Sequence, residues 1–213
     1  MKRCYLIRHA QTLWNGENRI QGHSDLPLSP LGEQQAKQLA ERFASHHLKG
    51  IFTSALQRSV QTAHAIASGN GHRVSPLVER ELAEMHLGAW EGLTPAAVDS
   101  RFQNAYQQWR ERPSSVAIPD AEPLDMFRQR VRRALANIMG GIGDGEYVVV
   151  SHGGVIAALL ADLLGADYDQ VIRRLRLDNA GVTAVEFGVG IPHVLWVNST
   201  IHLEPLAQPP SVG

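Results

Sequence analysis

The fold is decided by CYLIRH (residues 4–9), in which four apolar, strand-forming residues run directly into an arginine and a histidine. A second stretch of the same design, YVVVSHGG (residues 147–154), ends in a histidine and a glycine pair. Ligands of open α/β sheets bind beyond the carboxyl ends of the strands. Two strand ends of this kind therefore predict one shared site around His9 and His152.

Segments of strand and helix character alternate along the rest of the chain. Ser29 and Pro30 mark the start of the first long helix, as its cap and its first residue. Further helices are predicted over 55–67, 94–109, 124–139, 155–164 and 169–176, and further strands over 51–53, 74–78, 182–187 and 193–197. This alternation predicts an α/β fold, a three-layer sandwich whose mainly parallel central sheet is flanked by helices.

We expect a single domain over residues 1–203, because no linker, repeat or low-complexity segment interrupts the pattern. Within it, the proline-bearing segment 93–127 is expected to cap the site. Residues 204–213 are expected to form a flexible tail. The predicted hairpin at 182–197 offers a sheet edge through which two copies could pair as a homodimer.

Composition and charge exclude several classes of protein. The chain has 213 residues, 44% of them hydrophobic, and a formal net charge of -1, so it can bury a core but lacks the basic balance of nucleic-acid or membrane-surface binding. Its most apolar stretch, residues 155–164, is far shorter than the roughly 20 residues of a membrane span. A single cysteine, Cys4, rules out a disulfide within the chain. We expect a cytoplasmic protein with neither nucleic-acid nor membrane partners.

The residues at the two strand ends suit phosphoryl transfer. An arginine such as Arg8 presents a fork of donors that matches phosphate oxygens. The helix start after Gly153 supplies backbone N–H groups and the positive end of the helix dipole. A neutral imidazole nitrogen of His9 can attack phosphorus, and neighbouring arginines favour that neutral form.

Four ordered motifs resemble those of the histidine phosphatase superfamily, which includes the cofactor-dependent phosphoglycerate mutases. The motifs are LIRHAxT (6–12), SxxxRxxQTA (54–63), LxExxxGxWEG (82–92) and VSHGG (150–154). The resemblance runs from residue 2 to about residue 203, and it is strongest toward the broad-specificity and α-ribazole-phosphate-type phosphatases. It implies a phosphoglycerate mutase-like fold.

The resemblance implies a role for each matching residue. His9 is expected to be the nucleophile that becomes phosphohistidine, with Arg8, Arg58 and His152 around the phosphate. Glu84 is expected to protonate the leaving oxygen and then to activate water. The residues expected to bind the substrate are Asn15, Gln21, Gly22 and Gly153. No metal or cofactor is implied, because the arginines stabilise the charge that magnesium stabilises in other phosphoryl-transfer enzymes.

Two points stay open in the sequence. Charge and position alone do not choose Glu84 as the acid over its neighbours Glu79, Glu81 and Glu91. Glu84 is preferred only because its spacing to residues 88–92 matches the third motif. Ala10 stands where the superfamily usually has glycine, and an alanine would be strained if that position required a positive φ.

The resemblance favours a phosphatase, a phosphoric monoester hydrolase of the histidine acid phosphatase type that acts on a small-molecule phosphate ester. The mutases typically carry Gly-Trp where Gln21, Gly22 and His23 stand, and they have a longer segment between the third and fourth motifs. A phosphoglycerate mutase is the alternative. A catalytically weak regulatory or phosphohistidine-signalling module is the second alternative. Trp90 and Trp109 are interpreted as packing residues.

Overall fold

The computed structural model describes residues 1–72 and 74–206, the last three by their backbone alone. Within this part of the chain six strands form one sheet: β1 (Lys2–Arg8), β2 (Leu48–Thr53), β3 (Pro76–Val78), β4 (Gly145–Ser151), β5 (Val182–Phe187) and β6 (His193–Ser199). Their order is β3-β2-β4-β1-β5-β6. The first four are parallel, and β5 and β6 join antiparallel at one edge. The predicted α/β fold with a mainly parallel sheet is confirmed.

Eight α-helices accompany the strands in the described residues. They are α1 (Leu13–Gly16), α2 (Pro30–Phe43), α3 (Gln57–Gly69), α4 (Pro95–Arg101), α5 (Ala105–Glu111), α6 (Leu124–Gly141), α7 (Gly153–Leu163) and α8 (Tyr168–Arg174). The start of α2 is as predicted, with Pro30 as its first residue. The Ser29 hydroxyl caps this helix by accepting a hydrogen bond from the Gly32 N–H at 3.0 Å.

The prediction of one continuous helix over 94–109 is wrong. The segment is divided between α4 and α5, and Gln103 and Asn104 lie between them with φ angles of 52° and 61°. Two successive residues in the left-handed region cannot continue a right-handed helix, so the chain turns here. The turn separates α5 from α4, and α5 contributes side chains to the pocket described below.

Alternating side chains of β1 face two different layers of helices. Cys4 and Leu6 pack in a core with α6 and α7, whereas Tyr5 and Ile7 pack in a second core with α2 and α3. Successive side chains of a strand point to opposite faces of the sheet, so this pattern places helices on both faces. The three-layer arrangement is thereby confirmed. A third, smaller cluster is built around the buried Trp90.

The sheet brings the two predicted strand ends together. β1 and β4 are parallel neighbours, and Arg8 pairs with Ser151. The main-chain N–H of His9 donates to the Ser151 carbonyl at 2.9 Å, so the pairing continues one residue beyond β1. His152 follows β4 directly, and Gly153 opens α7. His9 and His152 therefore lie side by side at the carboxyl ends of two neighbouring parallel strands.

The described chain ends in a short 3-10 helix, Ile201–Leu206. The flexible tail predicted at 204–213 falls mostly outside the described residues, since only the backbone of 204–206 belongs to them and forms part of this helix. No helix in the described ranges is both long enough and apolar enough to cross a membrane.

Replacing Leu39 tests the core between the sheet and α2. This side chain is 0% exposed, so Leu39→Ala removes buried methyl groups and leaves a cavity. We expect the free energy of unfolding, measured by urea denaturation, to fall by about 2–5 kcal/mol. Lys37→Ala on the exposed face of the same helix is the matched control and should change it by less than about 0.5 kcal/mol. A loss below about 1 kcal/mol for Leu39→Ala would contradict this packing.

Candidate active site

A pocket of about 180 Å³ opens at the carboxyl edge of the sheet. Seven of the nine predicted site residues line it: Arg8, His9, Asn15, Gln21, Gly22, Arg58 and Glu84. The other two adjoin it. The His152 ring centroid lies 5.2 Å from that of His9. A Cβ built on Gly153 would lie 3.7 Å from the Arg8 Nε. The structure thus brings together residues spread over almost 150 positions of sequence.

His9 is held so that one ring nitrogen is free. Its Nδ1 lies 2.8 Å from the Ala10 carbonyl oxygen. A carbonyl oxygen only accepts, so Nδ1 carries the hydrogen and Nε2 keeps its lone pair. The Asn179 side-chain Nδ2 donates to the His9 carbonyl at 3.0 Å and fixes the backbone. Burial first, and then the positive charges of Arg58 and Arg8, hold the pKa of His9 well below its usual 6.5. The ring is therefore neutral at neutral pH, as a nucleophile requires.

Two guanidinium groups flank His9, that of Arg58 buried and that of Arg8 partly buried, and both donate to backbone carbonyls. Arg8 Nη1 donates to the Leu177 carbonyl at 2.6 Å. Arg58 Nη1 and Nη2 donate to the carbonyls of residues 24 and 22, both at 2.8 Å. Burial lowers the pKa of Arg58 to about 10, which still leaves it charged at neutral pH. The Nε–H groups of Arg8 and Arg58 are buried and have no acceptor among the described residues.

His152 supplies a third buried donor. Its Nε2 lies 2.7 Å from the Ser54 hydroxyl, which itself accepts from the Leu56 N–H at 3.4 Å. When the Ser54 hydroxyl donates its hydrogen to Nε2, the ring hydrogen lies on Nδ1. That Nδ1 is buried without a partner in the described chain. Buried donors normally find acceptors, so unpartnered donors on three side chains around His9 fit an oxyanion such as phosphate.

Glu84 is the glutamate that the structure places in the pocket. Its Oε2 accepts from the Gly154 N–H and its Oε1 from the Met85 N–H, both at 3.0 Å. A Cβ at position 154 would lie too close to Glu84 Oε1, so a side chain there would displace the carboxylate from this position. The carboxylate of Glu84, in the third motif, is thereby held against the backbone of Gly154, in the fourth.

The three rival glutamates are engaged elsewhere and do not line the pocket. Glu79 caps a 3-10 turn by accepting from the Glu81 N–H at 3.1 Å. Glu81 forms an ion pair with Arg133. Glu91 accepts from the backbone N–H groups of residues 23 and 24 at 2.8 and 2.9 Å and so ties down the loop that holds Arg58.

The two predicted amide side chains are oriented by contacts that the sequence did not reveal. Asn15 Oδ1 accepts from the Thr12 N–H at 3.0 Å and from Asn179 Nδ2 at 3.2 Å. Gln21 Oε1 accepts from the Thr12 hydroxyl at 2.9 Å. Because both amide oxygens are engaged, the amide NH₂ groups of Asn15 and Gln21 are the donors that remain for a ligand.

Ala10 is accommodated without strain. Its φ is not positive, its methyl group is buried in the core with α2 and α3, and its N–H donates to the Thr62 hydroxyl at 3.1 Å. The position therefore does not require glycine in this chain.

The pocket also contains aromatic residues that the sequence interpretation underrated. Trp90 packs in the third cluster, as interpreted, but it lines the pocket as well. Tyr106 and Trp109 of α5 form another part of the lining. No group of three or more His, Cys, Asp or Glu side chains in the described residues is placed to hold a metal ion.

The sequence profile of the histidine phosphatase superfamily (branch 1) matches residues 4–200. The chain belongs to the histidine phosphatase superfamily. Among its members, the "Probable phosphoglycerate mutase GpmB" of Enterobacter sp. is 35% identical over 192 residues, 88% of this chain and 86% of that relative.

Two solved structures show the same fold. YhfR of Bacillus stearothermophilus matches with a TM-score of 0.90 at 29% identity, over 96% of this chain and 100% of that one. A mycobacterial glucosyl-3-phosphoglycerate phosphatase in complex with VO3 matches with a TM-score of 0.83 at 30% identity, over 93% and 100%. The relatives in the superfamily thus carry the names of phosphatases and of mutases.

The state of the His9 ring can be measured directly. Because its pKa lies well below 6.5, we expect the ring to stay neutral, with its hydrogen on Nδ1, as the pH falls from 8 to 6. Nitrogen-15 NMR of the imidazole groups reports both the charge and the tautomer, and a His9→Ala variant assigns the signal. A titration midpoint near 6.5, or a hydrogen on Nε2, would contradict the geometry.

The Ser54 hydroxyl tests the orientation of His152. Ser54→Ala leaves Nε2 without its donor and frees the ring to place its hydrogen there. We expect the affinity for inorganic phosphate, measured by calorimetry, to fall by roughly one to two powers of ten, since an unpaired buried group costs about 1–3 kcal/mol. The matched control is Ser59→Ala, whose hydroxyl lies 3.4 Å from the same Nε2 and should matter much less. Equal losses for both serines would exclude the tautomer argument.

Proposed function

We propose that this protein is a metal-independent phosphomonoesterase that hydrolyses a small phosphorylated metabolite through a phosphohistidine on His9. One observation carries the proposal: a neutral, buried His9 with a free Nε2 shares its pocket with Arg8 and Arg58 and adjoins His152, and each of these three side chains has a buried nitrogen without a partner in the described chain. A nucleophile surrounded by fixed donors suits a reaction in which negative charge must be stabilised while phosphorus is attacked.

In the first step the phosphate group is bound by Arg8, Arg58 and the Nδ1–H of His152. His9 Nε2 attacks phosphorus as the bond to the ester oxygen breaks, and the leaving oxygen takes a proton from Glu84. The products are an alcohol, phosphohistidine and a Glu84 carboxylate. The donors are already in place, so little reorganisation accompanies the transfer of charge.

In the second step a water molecule attacks the phosphohistidine. Glu84, now ionised and held by the N–H groups of Met85 and Gly154, takes a proton from that water. The bond between Nε2 and phosphorus breaks, which releases inorganic phosphate and restores His9 with its lone pair and Glu84 with its proton. One carboxyl group thus serves as acid and then as base.

A phosphoglycerate mutase is the second candidate, since the 35% identical relative bears that name. Mutase and phosphatase share the first step and differ in whether a second hydroxyl or water accepts the phosphoryl group. Gln21 and Gly22 in place of Gly-Trp, and the short segment between the third and fourth motifs, support the phosphatase.

Substitution of the two reacting groups tests the mechanism. We expect His9→Ala to reduce the hydrolysis of p-nitrophenyl phosphate to background. Glu84→Gln should lower kcat on an alkyl phosphate by about 10²–10⁴-fold, the usual contribution of general acid–base catalysis. Exposed residues supply matched controls: His64→Ala and Glu41→Gln should keep wild-type rates. Full activity in His9→Ala would exclude the proposed nucleophile.

The metal independence of the reaction needs a measurement of its own. We expect the rate to survive dialysis against EDTA and to show no rise on addition of magnesium, because protein donors hold the phosphate. A rate lost with the chelator and restored by a divalent ion would contradict the proposed chemistry.

Product analysis separates the two candidate functions. With 3-phosphoglycerate as substrate, phosphorus NMR should show any turnover as inorganic phosphate. Accumulation of 2-phosphoglycerate without phosphate release would establish the mutase instead.

A further inference from the structure

The lining of the active-site pocket divides by chemistry into two parts. The polar part, described above, holds the phosphate. The other part is apolar and aromatic, and it consists of Ile20, Leu87, Trp90, Tyr106 and Trp109. The mechanism leaves this second part unused, although the alcohol portion of any phosphate ester must lie against something in the same pocket.

The aromatic side chains form a continuous wall. Tyr106 and Trp109 lie three residues apart on α5, which places them on one face of the helix. Their ring centroids are 5.7 Å apart with an interplanar angle of 26°, so the rings are stacked. The Trp90 ring follows at 6.2 Å from Tyr106. Flat, rigid rings present a large apolar area to a flat ligand.

The charges in the pocket argue against an acidic alcohol portion. Arg8 and Arg58 are assigned to the phosphate, and Glu84 is negative or donates its proton. The one other cation in the lining, Arg19, is paired with the Glu17 carboxylate at 2.6 Å and donates to the Gly92 carbonyl at 2.8 Å. A carboxylate on the substrate would therefore compete with Glu17 for Arg19, and it would lie near Glu84, which repels it when ionised.

One polar atom of the aromatic wall is buried without a partner among the described residues. Trp90 is 2% exposed, and its Nε1–H is buried without an acceptor among the described residues. A buried indole N–H usually finds a partner. The indole N–H is thus the one donor that the Trp90 side chain adds to the apolar part of the lining.

We infer that the preferred substrates are phosphate monoesters whose alcohol portion carries a flat, uncharged ring, which binds against Tyr106 and Trp109. This inference rests on the proposed phosphatase function and specifies its substrate class. Small acidic esters such as 3-phosphoglycerate and phosphoserine are poor substrates, because the wall offers them no counter-charge.

Three esters test the substrate class: benzyl phosphate, ethyl phosphate and 3-phosphoglycerate. All three release a primary alcohol, so differences in kcat/KM report mainly on the pocket and not on the leaving group. We expect benzyl phosphate to exceed 3-phosphoglycerate by about tenfold or more, with ethyl phosphate between them.

Variants of Trp109 connect the preference to the wall. The ratio of kcat/KM for benzyl phosphate to that for ethyl phosphate should fall about threefold to tenfold in Trp109→Ala, the scale of one aromatic contact. Trp109→Phe should retain the ratio within about twofold, since it keeps a ring. The matched control is Trp196→Ala on β6, away from the pocket, which should leave the ratio unchanged. A ratio within one preparation does not depend on how much of the variant folds.

The possible outcomes distinguish this inference from the proposed function. Hydrolysis that depends on His9 but favours 3-phosphoglycerate over benzyl phosphate overturns the substrate class and leaves the phosphatase intact. A ratio that does not change in Trp109→Ala also overturns the substrate class. Failure to hydrolyse any of the three esters overturns both.

Discussion

The parallel pairing of β1 with β4 is the constraint on which the rest of the site depends. The ladder ends with the His9 N–H bonded to the Ser151 carbonyl at 2.9 Å, so His9 and His152 leave the sheet together. Each helix or loop that enters the site is then placed relative to this pair. α7 begins at Gly153 and brings the Gly154 N–H to the Glu84 carboxylate. The Asn179 side chain donates a hydrogen bond to the His9 carbonyl.

Burying the positive charges of this site costs free energy when no ligand is bound. The Arg58 guanidinium is buried and that of Arg8 is partly buried beside neutral histidines, and backbone carbonyls satisfy only part of their donors. An uncompensated buried charge typically costs several kcal/mol. A phosphate dianion offsets that cost, since it is both a counter-charge and an acceptor for the orphaned donors. The same burial lowers the pKa of His9, so the conditions that favour an anion here also keep the His9 imidazole neutral.

The sequence was informative where chemistry is local. The strand ends, the Ser29 cap of α2 and the four motifs are all read within a few neighbouring residues, and the structure brings seven of the nine predicted residues to one pocket. It was uninformative where contacts are long-range. Choosing Glu84 as the acid on physical grounds requires its hydrogen bond to the N–H of Gly154, 70 positions away. The break between α4 and α5 is set by two residues with positive φ and determines where Tyr106 and Trp109 lie. The sequence pattern did not predict this break.

The central claim is that His9 carries the phosphoryl group during turnover. Rapid acid-free quenching of the enzyme with a phosphorus-32 ester, followed by peptide mapping at alkaline pH, measures this most directly. We predict a label that is stable to alkali, labile to acid and confined to the peptide containing His9. A label on the peptide containing His152, or steady hydrolysis with no labelled peptide at any time, would contradict it.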